Sequence, residues 1–236
     1  MTKETTQMID TVLFDLDGTL IDSMPELAYC SNQCLKDMGR PTLPLETLST
    51  FVGKGLERLI IRFLANDIDE TTADPELLKE AKKIFNHHYH ANNGLFSELY
   101  PTVVDALEQL KARGFKLAVV TNKAIEFTIP LLEKKGISQY FDTIIGGDSC
   151  EYKKPHPAPV LLALKNLNRT AATAVFVGDS LNDAQAAKAA ELPCLIVPYG
   201  YNEGQALSTP EPGALINDMF ALIRWIETEN SKRQGN

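Results

Sequence analysis

The chain opens its first clear pattern at Ile9 to Phe14, a short apolar run closed by Asp15-Leu-Asp-Gly. A run of this length without polar alternation predicts a strand buried on both faces of a parallel sheet, with its end delivering two carboxylates. Ser23-Met-Pro-Glu26 then reads as a capping box with proline in the first turn, so a helix should start there and stop near Gly39-Arg-Pro41. Helical periodicity returns at about 55–65 and 75–90, with a weaker signal at 45–50, and no strand pattern interrupts residues 22 to 96. After Tyr100-Pro101 the pattern changes to alternating helix and strand. Helices are expected at 102–113, from Thr121-Asn122 to Lys135-Gly136, at 157–167, at 181–190 and at the C-terminus. Strands are expected at 116–120, 143–145, 173–177 and 194–197. Pro130 should kink or restart the helix that contains it.

Alternating strands and helices of this kind predict an α/β fold, a doubly wound, Rossmann-like parallel sheet. The all-helical block is then an insertion emerging at the carboxyl end of the first strand. The expected division is an α/β core of residues 1–21 and 97–236 with a helical cap domain of residues 22–96. Short linkers near 21–23 and 95–100 would join them. Ligands bind at that rim of an open parallel sheet, and an inserted module there can close over them.

Composition narrows the partners. The 236 residues carry 23 Lys and Arg against 31 Asp and Glu, a net charge of −8, and 44% are hydrophobic. That balance fits an ordinary globular protein and argues against a nucleic-acid partner, which needs concentrated positive charge. The longest apolar stretches, such as 117–120 and 194–197, fall far short of the roughly 20 residues of a membrane helix. The N-terminal segment has Lys3 and Glu4, and its first apolar run is broken by Asp15 and Asp17, so no signal-peptide core is expected. Four unevenly placed cysteines read as reduced thiols, and the expected location is the cytoplasm.

Three predicted strands end in polar residues: Asp15, Asp17 and Thr19; Thr121, Asn122 and Lys123; and Gly178, Asp179, Ser180, Asn182 and Asp183. A right-handed parallel sheet brings these ends onto one rim. Acidic side chains gathered there repel one another unless a cation neutralises them, and hard oxygen ligands suit Mg²⁺.

Asp15-Leu-Asp-Gly-Thr19, Thr121-Asn122, Lys154-Pro155 and Gly178-Asp-Ser-Leu-Asn-Asp183 resemble, in order, the four motifs of the haloacid dehalogenase-like hydrolase superfamily. Within it the chain is most similar to the phosphoglycolate phosphatases. The resemblance implies a Mg²⁺-dependent phosphatase for a small phosphorylated metabolite, 2-phosphoglycolate above others, working as a monomer or homodimer. It implies that Asp15 is the nucleophile forming an aspartyl phosphate and that Asp17 is the proton shuttle. Asp15 and Asp179 would supply carboxylates to the metal and Asp17 its backbone carbonyl. Thr121, Asn122 and Lys154 would hold the phosphoryl oxygens, with Asp183 behind Lys154 or a metal-bound water. A phosphomutase resembling β-phosphoglucomutase shares this core and is the nearest alternative. Asp17 speaks against a dehalogenase, and the inserted helical block against a receiver-like signalling module.

In the helical block, Lys54 and Arg58 share a helix face and could meet a substrate carboxylate, although charged helix positions usually face water. His87, His88 and His90 read as helix-terminal cations rather than as a metal cluster, and Cys30 and Cys34 as packing residues.

Overall fold

The computed structural model describes residues 7–204 and 213–235. Lys3 and Glu4, read above for targeting, lie outside them. The strands are β1 (Thr11–Phe14), β2 (Ile21–Asp22), β3 (Glu98–Leu99), β4 (Lys116–Val120), β5 (Thr143–Ile145), β6 (Ala174–Gly178), β7 (Cys194–Ile196) and β8 (Gly213–Leu215). The helices are α1 (Met24–Asp37), α2 (Leu45–Thr50), α3 (Leu56–Ala65), α4 (Pro75–Asn92), α5 (Val103–Ala112), α6 (Ile125–Lys134), α7 (Ala158–Leu167), α8 (Leu181–Ala189) and α9 (Met219–Gln234).

Six strands form one sheet in the order β5-β4-β1-β6-β7-β8, and every pairing in it is parallel. The chain winds from β1 first to one side and then to the other. This is the doubly wound arrangement expected from the alternation of elements. All four residues of β1 are buried because both faces of the sheet are covered. Val12 and Phe14 pack with α5 and α9 through Leu107, Leu110 and Leu222. Leu13 points the other way, to Val160 and Leu164 of α7 and Ala187 of α8. Helices α1 to α4 enclose a third apolar cluster that includes Cys34, Phe63, Phe85 and Tyr89, and Phe127 of α6 also enters it. Both Cys30 and Cys34 are fully buried there.

Some local expectations need correction. The Ser23–Glu26 capping box does not form: Ser23 makes no cap hydrogen bond, and both side chains are fully buried. The first turn of α1 is held instead by Asp22 Oδ1 and the Tyr201 hydroxyl, which accept from Met24 N at 3.2 and 2.9 Å. Glu26 Oε2 accepts from Phe96 N at 3.3 Å. Helix α6 runs through Pro130 without a break, so the proline removes one backbone donor but does not end the helix. The two expected linkers pair as an antiparallel ribbon, β2 with β3, in the register Ile21↔Leu99. Strand β8 at the sheet edge had no counterpart in the sequence reading.

Candidate active site

The carboxyl ends of β1, β4 and β6 converge below α1, α3 and α4. Asp15 continues the β1 ladder through its N–H to Val177 O, which aims its side chain at the end of β6. Gly18 follows in the left-handed region, at φ 84°, and a Cβ there would stand 2.1 Å from Asp179 Oδ2. Only glycine lets that loop lie against the carboxylate.

Lys154 is the cation of this cluster. Its Nζ lies 2.8 Å from Asp15 Oδ1 and 2.7 Å from Asp183 Oδ1, and it is buried. The neighbouring Lys153 is exposed. Asn122 fixes the Lys154 backbone by a reciprocal pair, accepting from Lys154 N at 2.9 Å and donating to Lys154 O at 3.0 Å. Thr121, beside it, is buried at the end of β4. The amide expected to grip phosphoryl oxygens is therefore engaged in holding the lysine that faces Asp15.

Asp183 is tied from both ends. Its Oδ2 accepts from Asp179 N, Ser180 N and Ser180 Oγ at 3.2, 3.1 and 2.7 Å, closing the first turn of α8. Gly178 makes room for it, since a Cβ at that position would come 2.4 Å from Asp183 Cβ. Asp179 Oδ2 accepts from Tyr201 N at 2.5 Å.

Carboxylate oxygens of Asp15, Asp179 and Asp183 all lie within 4.8 Å of one another. Burial, only partly offset by Lys154 and reinforced by Asp183, pushes Asp15 up to about 7. Burial and its acidic neighbours also raise Asp179 well above the ordinary carboxylate range. For Lys154, burial works against the charge, but Asp15 and Asp183 outweigh it and its pKa rises. One lysine against three carboxylates, two buried and one partly buried, leaves negative charge that a divalent cation would neutralise. Asp15 and Asp179 are the freer donors, because Asp183 is already committed to Lys154 and Ser180.

Asp17 stands apart from these three. Its two carboxylate oxygens each accept from Lys123 Nζ at 2.9 Å. Tyr89 of α4 places its ring over the same ammonium, 4.9 Å from the centroid. Burial opposes the charge on Lys123, yet Asp17 more than compensates and raises its pKa.

A cavity of about 80 Å³ lies above the rim, walled by Leu27, Leu56, Leu59, Phe85, Tyr89 and Phe127 and floored by the polar residues described above. Lys54 and Arg58 do not line it. Lys54 is exposed and meets Glu203 Oε2 at 3.3 Å, and Arg58 donates to Glu70 O at 3.1 Å within the helical block. The backbone beside them does reach the site, for Gly53 O accepts from Asn122 Nδ2 and Asn182 Nδ2 at 3.4 and 3.3 Å. Arg62, buried in α3, meets Glu203 Oε1 at 2.6 Å, so one glutamate of the core ties two cations of the helical block.

The sequence model of the haloacid dehalogenase-like hydrolases matches residues 12–197, which include every residue of the rim. The chain belongs to this family. It is 42% identical over 219 residues to the phosphoglycolate phosphatase of Nitrosospira multiformis, covering 93% of this chain and 96% of that one. A predicted phosphoglycolate phosphatase of Haemophilus somnus 129pt, known from its crystal structure, is similar with a TM-score of 0.82 at 34% identity, covering 92% and 97%. CbbY of Rhodobacter sphaeroides, solved in complex with phosphate, is similar with a TM-score of 0.76 at 27% identity, covering 91% and 96%.

In this haloacid dehalogenase-like hydrolase, two residues that sequence reasoning left without a role, Lys123 and Tyr201, line the site, and a third, Glu203, ties the helical block beside it. Lys123 was visible as a polar residue at a strand end, but nothing local marked its pairing with Asp17. Tyr201 and Glu203 sit in the loop after β7, where no periodic signal exists. Their partners Asp22 and Arg62 lie 179 and 141 residues away.

Proposed function

We propose that the chain is a Mg²⁺-dependent phosphatase acting on a small phosphate monoester, most specifically 2-phosphoglycolate, releasing glycolate and inorganic phosphate. The observation that carries this reading is the convergence of Asp15, Lys154 and Asp179 beneath a cavity with apolar walls. That space is about 80 Å³, whereas a single water needs roughly 10–15 Å³ by the same measure. The names of relatives about 40% identical over most of the chain support the same substrate.

In this reading an Asp15 oxygen attacks phosphorus while the ester P–O bond breaks, and Asp17 gives its proton to the departing oxygen. Asp17 then takes a proton from the water that attacks the aspartyl phosphate, restoring both carboxyl groups. Lys154 places its charge against the phosphoryl oxygens as negative charge builds, and the Thr121 hydroxyl supplies a hydrogen bond. Asp15, Asp179 and the Asp17 carbonyl would hold Mg²⁺, whose charge lets nucleophile and phosphate approach. Asp183 keeps Lys154 in place. Residues 22–96 act as a cap over the core, with the β2–β3 ribbon as its hinge. Lys54 and Arg58 then lie at the edge of the cap rather than over the reacting atoms.

The location proposed here is the cytoplasm; no helix among the described residues is long and apolar enough to cross a membrane. A phosphate-release assay with Mg²⁺ over a panel of metabolites tests the function. Fastest release is expected from 2-phosphoglycolate. Isomerisation of a sugar phosphate with little free phosphate would instead identify a mutase.

A further inference from the structure

Two lysines line the cavity among the described residues, and they are committed differently. Lys154 is clasped by Asp15 and Asp183 on the side where the phosphoryl group reacts. Lys123 sits away from them, with its side chain only 6% exposed, ion-paired among the described residues with the carboxylate of Asp17 and covered by the Tyr89 ring. The rest of the wall near Tyr89 is apolar: Leu27, Leu56, Leu59, Phe85 and Phe127. A negative charge carried into that space would have to find a cation, because a buried unpaired carboxylate is costly. The cations expected from the sequence to meet it, Lys54 and Arg58, do not line the cavity, and Lys54 and its neighbour Arg62 are both occupied by Glu203.

A buried lysine–carboxylate pair is also weak as a stabilising device, since desolvating both charges offsets most of their attraction. Its position explains it better. Asp17 must stand beside the ester oxygen that leaves, so an ammonium touching both Asp17 oxygens stands beside the leaving group as well.

We propose that Lys123 is the specificity-determining cation of this site, receiving the anionic end of the leaving group and thereby selecting phosphate esters of small hydroxy acids over esters of neutral alcohols. The assignment rests on the phosphatase reading above and adds a class of substrate and a residue to it. One face of the ammonium stays with Asp17, and the substrate carboxylate takes a further N–H, which places the bridging oxygen at Asp17.

Two matched pairs of esters test it: 2-phosphoglycolate against ethyl phosphate, and 3-phosphoglycerate against glycerol 3-phosphate. The wild-type enzyme should prefer the acid by kcat/KM. In Lys123→Met that preference should fall by about 10- to 100-fold, the range for losing a hydrogen bond between charged groups. Lys123→Arg should keep most of it. If the Met variant does not fold, Lys123→Gln, which can still donate to Asp17 without a charge, should show the same loss of preference. A wild-type enzyme that ignores 2-phosphoglycolate but prefers 3-phosphoglycerate, with that preference erased in Lys123→Met, would overturn the named substrate and leave the Lys123 assignment standing. No preference for the acid in either pair, or a preference that survives in Lys123→Met, would overturn the assignment itself.

Discussion

Lys154 Nζ and Asp183 Oδ1 lie 2.7 Å apart, both side chains buried, with Asp15 on the other side of the same ammonium. Removing the lysine alone leaves carboxylates facing one another without compensation. Lys154→Met is expected to lower stability by about 3–5 kcal/mol, as for other buried pairs broken on one side, and the double change Lys154→Met with Asp15→Asn, which removes one of the carboxylates left uncompensated, to lower it by less. Denaturant unfolding of the two variants checks this. Loss of one charge aimed at the reacting phosphoryl group should also reduce kcat by about 10²- to 10³-fold.

The pH dependence of metal-free stability follows from Asp15, which rises from the ordinary 3.8 to about 7 in the folded chain, and from Asp179, which burial and its acidic neighbours raise in the same direction. The Asp15 proton is held more tightly when folded, so stability is full below the unfolded value and declines as pH climbs from about 4 to about 7. In chelator, the melting temperature should therefore rise as the buffer is taken from about pH 7.5 down to about pH 5.5. Asp15→Asn should reduce that slope, leaving the part that Asp179 contributes, and melt higher than wild type at the upper pH. Asp142, which its backbone and lysine partners lower to about 2, does not titrate in this window. A wild-type slope of opposite sign would show that the acidic cluster is not strained by its own charge.

Glu203 joins the core to the helical block through Arg62 at 2.6 Å and Lys54 at 3.3 Å. Glu203→Ala should weaken that junction by about 2 kcal/mol, typical of a hydrogen bond between charged groups. The expected signature is a higher KM and faster proteolysis of the segment between α1 and α4, with a smaller change in kcat. Unchanged proteolysis would mean that the pair does not hold the block down.

Gly178→Ala should damage the site without touching a charged residue. The added methyl would come 2.4 Å from Asp183 Cβ, displacing the residue that holds Lys154. Thermal melting should fall together with kcat, at a cost of about 1–3 kcal/mol for overpacking.

The acidic rim was legible in the sequence because it lies on strand ends, where a short buried run such as Val12 to Phe14 announces itself and the following residues must turn. The same holds for Asp179 and Asp183 after β6. The β2–β3 ribbon was not legible, since two residues per strand carry no period. Helical spacing suggested that Lys54 and Arg58 share a face, but α3 starts only at Leu56, after the left-handed Gly55, so Lys54 precedes the helix and the two cations share no helix face. The inward side of α3 is Leu59, Ile60 and Phe63. Ser23 and Glu26 had the spacing of a capping box, but Asp22 and Tyr201 occupy the end of α1 first. Lys123 was legible as one of the polar residues at a strand end on the rim, but nothing in the sequence marked its partner. Only the packing of α4 and its Tyr89 onto the core buries it against Asp17, 106 residues away in sequence.

The proposed chemistry depends most on Asp15 carrying the phosphoryl group during turnover. Wild-type protein mixed with 2-phosphoglycolate and Mg²⁺, quenched in acid and digested, should yield by mass spectrometry a phosphorylated peptide with the group on Asp15, and Asp15→Asn should yield none and release no phosphate. A phosphoryl group found on another residue, or steady phosphate release by Asp15→Asn, would contradict it.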